Sequence, residues 1–142
     1  MSKSDTYENS VLDILFRAVA LANIWDNAAA SPNTDIHVSL HTADPGDAGT
    51  QITSEAAYTS YARQAVARPA GWAAASGGST SPAANIDFTE ATGGGETETH
   101  FICGKLLTTA GVSFYHGTVT PNIVVSSGVT PRLTTASTIT EA

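Results

Sequence analysis

The chain has 142 residues, near the modal size of one domain, and Ala (23), Thr (20), Ser (14) and Gly (12) make up almost half of it. Leu, Ile, Val and Phe together fill only 28 positions, so the expectation is a folded domain with a thin core and much small-residue surface. A net charge of −7 with only six Lys plus Arg offers no electrostatic footprint for nucleic acid, and the single Cys103 excludes an intrachain disulfide framework and any Cys-pair zinc site.

Taken in chain order, the first ten residues carry Asp5 and Glu8 and no apolar run, so no signal peptide is expected. Asp5 and Glu8 have the spacing of a capping box. Val11, Leu12, Leu15, Phe16, Val19 and Ala22 then follow at helical spacing, with Asp13 and Arg17 four apart on the other side. This predicts one amphipathic helix over roughly residues 8 to 26, ending near Trp25 before Pro32. Asp13, Arg17 and Asn23 make the stretch too polar to span a membrane. Glycine is absent before Gly46, and all twelve glycines lie between Gly46 and Gly128. The head is therefore helix-compatible and the body turn-rich, with a boundary expected after residue 34: an N-terminal arm and helix over 1–34, and a β-sandwich body over 35–142, within a single structural domain.

In the body, Ile36, Val38 and Leu40 alternate with His37, Ser39 and His41, which predicts a strand with one buried face. Ala43 to Gly49 is a turn cluster. Further strands are expected within Tyr58 to Arg68, around Trp72, and over Ile86–Phe88, Thr97–Cys103, Val112–Val119, Ile123–Val125 and Leu133–Ile139. Glycines and prolines punctuate them, Pro121 among them. The fold class that follows is mainly β, a β-sandwich or jelly roll with one N-terminal amphipathic helix. Residues 69–99 contain no Lys or Arg and read either as a solvated face or as an arm that orders on a partner.

Chemistry-bearing residues are sparse. His37 and His41 share a strand face but lie roughly 13 Å apart at strand rise, too far to share a zinc ion. His100 and His116 are placed to face each other across a strand pair, and with Glu98 they are the raw material for a small hydrolase site. Asp44 and Asp47 suit an Asp-initiated turn better than a calcium loop. Gly93–Gly95 precedes Glu96 and Glu98, which would repel a phosphate. There is no nucleophile elbow, and Cys103 sits in an apolar segment as a small hydrophobe. No enzyme, cofactor or metal is expected.

The run Leu40-His41-Thr42-Ala43-Asp44-Pro45-Gly46-Asp47-Ala48-Gly49-Thr50 is distinctive. It is followed by Tyr61-Ala62-Arg63-Gln64, by Ile86-Asp87-Phe88 and by Thr99-His100-Phe101, and it is preceded by Leu15-Phe16-Arg17. In this order, over roughly residues 11 to 140, the chain resembles a family of small tailed-bacteriophage virion proteins, either head decoration (cement) or tail-fibre-like. The resemblance implies a decoration protein on the outer capsid surface, made in the host cytoplasm. It would bridge major capsid protein subunits and contact other copies of itself as a dimer or trimer, without nucleic acid or membrane. Candidate interface residues are Leu15, Phe16 and Val19 on the helix, Asp44 and Asp47 in the turn, and Arg63, Arg68 and Arg132 as charge partners. The helix stripe packs either on its own chain or on a neighbour. The alternative is a tail or baseplate fibre or host-surface adhesin, with Trp72, Tyr58 and Tyr61 as an aromatic sugar platform.

Overall fold

The structure, a computed structural model, describes residues 4–20 and 33–141. Among the described residues it contains one helix, α1 (Asp5–Phe16), and eight strands: β1 (Asp35–His41), β2 (Gln64–Ala67), β3 (Ser79–Thr80), β4 (Ile86–Asp87), β5 (Glu96–Gly104), β6 (Ser113–Val125), β7 (Arg132–Leu133) and β8 (Ile139–Thr140). The mainly β expectation with one N-terminal helix holds. Four strands form one sheet in the order β2-β1-β5-β6, and β3-β8 and β4-β7 form two short ladders. Contacts group the chain into two compact units: Met1–Asp35 with Val66–Ile86 and Leu133–Ala142, and Ile36–Ala65 with Asp87–Arg132. α1 thus shares its unit with two later segments.

In the first unit, Leu12 and Phe16 lie four apart on α1 and are fully buried. The Phe16 ring meets Trp72 at a centroid distance of 4.5 Å and a tilt of 58°. Each such side chain contributes about 1.5–3 kcal/mol by leaving water. The apolar stripe is therefore packed on its own chain. The polar side of α1 also holds neighbouring chain: Ala75 N–H donates to Asp13 Oδ1 (2.9 Å) and Gly78 N–H to Asn9 Oδ1 (2.7 Å). The expected Asp13–Arg17 pair forms at 3.3 Å.

Both ends of α1 differ from the expectation. Glu8 N–H donates to Ser4 C=O (3.0 Å), so Ser4, not Asp5, precedes the first turn. The helix stops at Phe16 rather than near residue 26, because Ala18 adopts a left-handed φ of 56° and the N–H groups of Arg17 and Val19 both turn back to Asp13 C=O. Ala22 and Trp25 lie outside the described residues. A helix end leaves carbonyls without partners. Here the Arg68 guanidinium supplies them, Nε donating to Leu15 C=O at 2.6 Å and Nη2 to Ile14 C=O. The last turn of α1 carries no basic residue of its own, so this cap comes from a residue far along the chain.

In the second unit, β1 and β5 are antiparallel, with Val38 opposite Cys103, Leu40 opposite Phe101 and His41 opposite His100. The strand expected to bury one face buries both from Val38 to His41. A central strand does so when chain crosses its second face, and the His41 ring Nδ1 meets Thr53 C=O there (2.8 Å). β5 pairs antiparallel with β6. Phe101 lies opposite Gly117, and its ring atom Cε1 sits 3.5 Å from where a Gly117 side chain would begin. The ring covers the gap that glycine leaves in the sheet.

The two strands expected on either side of Pro121 are one strand, β6. Proline is tolerated because β6 is an edge of the sheet, where a missing N–H breaks no ladder bond. The pairing shifts register between Glu98 and His100, opposite the stretch that contains Pro121. The segment expected over Leu133–Ile139 is instead split into β7 and β8 by a turn in which Ser137 N–H donates to Thr134 C=O (2.9 Å). Residues 69–99, free of Lys and Arg, are ordered and carry the buried Trp72, Ile86, Phe88 and Ala91.

Candidate interaction surface

The second unit contains a polar network built around Arg63. Its guanidinium Nε donates to Glu55 Oε1 (2.6 Å), Nη1 to Leu106 C=O (2.8 Å), and Nη2 to Glu55 Oε2 (2.8 Å) and Gln51 C=O (3.1 Å). Tyr61 OH donates to Glu55 Oε1 (3.1 Å) and accepts the Leu40 N–H (3.1 Å). Burial and the adjacent Glu55 carboxylate hold the Tyr61 hydroxyl in its neutral form. Gln51, fully buried, accepts the Leu106 N–H at Oε1 (2.8 Å) and donates from Nε2 to Leu106 C=O (3.1 Å). That amide passes so close to Gly104 and Gly111 that a side-chain carbon there would lie 2.1 and 2.0 Å from it. Glycine at both places is a steric requirement for the Gln51 plug.

A groove of about 520 Å³ opens beside this network, lined by Ile52, Tyr61, the Glu55–Arg63 pair, Leu107 and Thr108. Ile52 and Leu107 are 54% and 50% exposed, an apolar surface beside a neutralised ion pair. Arg63 was expected as a charge partner for a neighbouring molecule. It is instead buried, and its donors are occupied within its own unit. A buried guanidinium is tolerated only when paired and hydrogen-bonded in this way.

The Asp44–Gly49 segment is the turn that was expected. Asp44 Oδ1 accepts the Gly46 N–H (2.9 Å), and Gly46 takes a left-handed φ of 67°. His116 Nε2 stands 3.7 Å from Asp44 Oδ1 and 3.9 Å from Asp47 Oδ1, so both aspartates face β6 from an exposed loop. By strand parity all four histidines lie on one face of the sheet: His37 and His41 on β1, His100 opposite His41, and His116 opposite Ile102. His100 and His116 are thus diagonal neighbours rather than a facing pair. Among the described residues, no group of three or more His, Cys, Asp or Glu side chains is placed to hold a metal ion.

Ser39 and His41 have the residue types of a catalytic dyad, at an Oγ···Nε2 distance of 2.8 Å. His41 Nδ1 lies 2.8 Å from Thr53 C=O, which can only accept, so Nδ1 carries the hydrogen and Nε2 accepts from Ser39. Both side chains are fully buried, with no room for a substrate at the hydroxyl. Burial also lowers the His41 pKa and keeps the ring neutral. The arrangement is a satisfied core contact. Cys103 is likewise enclosed, and burial raises its thiol pKa.

The remaining candidates are scattered. Phe16 is inside the first unit, Leu15 is half-buried and Val19 is exposed beyond the helix end. Arg68 is committed to the end of α1. Arg132 pairs with Asp87 through Nε and Nη2 on an exposed surface. The aromatic platform expected from Trp72, Tyr58 and Tyr61 is not a surface: Trp72 and Tyr58 are each 3% exposed. Tyr58 packs edge-on against Tyr61 at 5.3 Å, and Tyr61 stacks on Phe88 at 6.3 Å. No helix among the described residues is long and apolar enough to cross a membrane.

Sequence reasoning missed the Gln51 plug, the cap that Arg68 places on α1, and the burial of Glu98. Glu98 is fully buried with neither carboxyl oxygen hydrogen-bonded, and its position on a strand of alternating Glu and Thr gave no sign of this.

Comparison with known proteins bears on the whole chain. A family model described as podophage GP4 fiber I protein gp80 matches residues 2–140. No curated protein matches the chain. The match confirms the resemblance to phage virion proteins: the chain belongs to the Gp80 family of podophage GP4 fiber I proteins and is a bacteriophage virion structural protein.

Proposed function

We propose that this protein is a structural subunit of a podophage tail fibre, and that it works by binding and not by catalysis. The observation that carries this reading is the family match over residues 2–140, whose description names a fibre protein. Geometry is consistent with it. The side chains with catalytic potential, Ser39, His41, Cys103 and Arg63, are buried and committed to internal contacts. The exposed features suited to contact are the Ile52–Leu107 groove and the Asp44–Asp47 turn beside His116. Its partners are other copies of itself and a neighbouring virion protein. With 13 acidic and six basic residues, the chain is poorly suited to DNA, and no membrane, metal or cofactor enters the reading.

The earlier placement, decoration of the outer capsid surface through the major capsid protein, is the other arm of the test. Reconstruction of intact virions with an antibody fragment against this chain locates it. Density at the tail supports the proposal. Density repeated over the capsid lattice overturns it in favour of decoration.

A further inference from the structure

Two carboxyl groups on β5 do opposite things. Glu96, the first residue of the strand, accepts two backbone N–H groups on one oxygen, from Ala57 at 2.8 Å and from Tyr58 at 2.7 Å. Glu98 lies two residues on, and strand residues two apart face the same side. It is fully buried, and neither of its oxygens is hydrogen-bonded. Burial and the adjacent Glu96 both favour its neutral form. Tyr58 faces it from the neighbouring segment, with a hydroxyl that burial keeps neutral and that donates to Thr89 C=O (3.0 Å). β6 places Ile123 opposite Glu98, and the next titratable group along β5, His100, is held to Thr99 Oγ1 (2.8 Å).

The segment that Glu96 grips is bounded by two left-handed residues that are not glycine, Ser54 (φ 54°) and Ser60 (φ 80°). Such conformations persist only where surrounding contacts hold them. Further contacts are Ala56 N–H to Leu40 C=O (2.9 Å) and Thr59 N–H to Gly93 C=O (2.9 Å). Ala57, Thr59 and Ser60 are exposed, while Tyr58 turns inward.

Once Glu98 loses its proton, two like charges stand side by side and one of them is enclosed. Glu98 is shut in by its neighbours. Glu96 is only half-buried, at the strand's end, and has solvent to turn to. We propose that Glu98 is the proton-held catch of this segment: while it is neutral, Glu96 stays on Ala57 and Tyr58, and when it ionises, Glu96 turns to solvent and residues 57–60 come free. The surface presented by Ala57, Thr59 and Ser60 changes with it. The device belongs to the isolated chain and is independent of where the chain sits on the virion.

The closed segment keeps a proton that the open one releases, so closure is strongest below the ordinary carboxylate range and weakens as pH rises towards about 8. The test is amide hydrogen exchange of the full chain between about pH 6.5 and 8, with each rate taken relative to an unprotected amide at the same pH. Protection of the Ala57 and Tyr58 amides is expected to fall about tenfold or more, and to stay below that of the paired amides of β1 and β5 at every pH. Glu98→Gln, which cannot ionise, is expected to hold it constant. Glu96→Gln keeps an oxygen for the two N–H groups but no charge to be repelled, and is expected to limit the fall to about threefold or less. Constant protection in the wild type overturns the proposal, as does a fall that keeps its full size in either variant. Equal protection of the two sets of amides at every pH also overturns it, because the charge is then relieved only by unfolding of the whole unit.

Discussion

Replacing Glu98 by glutamine should change how stability depends on pH. The Glu98 carboxyl is fully buried on β5, and neither oxygen has a hydrogen-bond partner. Burial first, and the neighbouring Glu96 carboxylate second, push its pKa from the ordinary 4.5 up to about 8. Between those values the folded state keeps a proton that the unfolded state has released. Stability is therefore greatest below the unfolded value and falls as pH rises towards the folded value. The full shift corresponds to an upper bound of about 5 kcal/mol. That is comparable with the whole stability of a small domain, about 5–15 kcal/mol. His41 acts in the opposite direction: its folded pKa is lowered from 6.5, so its contribution is lost as pH falls below that value. The window that isolates Glu98 runs from pH 6.5 to 8, where the wild type should lose about 1.5–2 kcal/mol. Urea unfolding at several pH values measures this directly. Glu98→Gln keeps the shape, cannot ionise, and should flatten the curve across the window. Equal slopes in wild type and variant, or stability that rises with pH in the wild type alone, would refute the reasoning.

Other substitutions probe the packing. Arg63→Met removes the guanidinium that pairs Glu55 and its hydrogen bonds to the Leu106 and Gln51 carbonyls, and should cost about 3–5 kcal/mol in urea unfolding. Phe16→Ala removes the ring that packs on Trp72 and should cost about 3–5 kcal/mol, with a change in tryptophan fluorescence as solvent reaches the indole. Gly111→Ala should destabilise by about 1–3 kcal/mol, since its methyl falls on the Gln51 amide. The same change in a Gln51→Ala background should cost clearly less, and a double-mutant cycle reads the difference as coupling. A thiol reagent should leave Cys103 untouched in native buffer and modify it fully in denaturant.

Local signals in the sequence were reliable where local physics decides. Alternation from Ile36 to His41 located β1, and the Asp-Pro-Gly order located the turn that Asp44 holds together. The apolar spacing that reaches Leu12 and Phe16 located α1 and its buried face. The errors arose where a distant residue decides. The stripe to Val19 suggested a longer helix, but Ala18 turns left-handed and Arg68, from a later segment, takes up the free carbonyls. Pro121 looked like a strand break because its tolerance depends on β6 lying at an edge, a property of the sheet order.

The candidate site was the least legible part. Arginine in a sequence poor in cations suggests a surface contact, yet Arg63 is held by Glu55, Gln51 and Leu106, residues that only the fold brings together. The aromatic platform was illegible for the same reason: Trp72 is buried within the first unit and Tyr58 within the second.

The central claim is that this Gp80 family chain is a fibre subunit, and its location in the intact particle tests it most directly. Cryo-electron microscopy of virions labelled with an antibody fragment against the chain should place the label at the tail, in a small number of copies set by fibre symmetry. Label distributed over the capsid lattice, in numbers that track capsid subunits, would contradict the account.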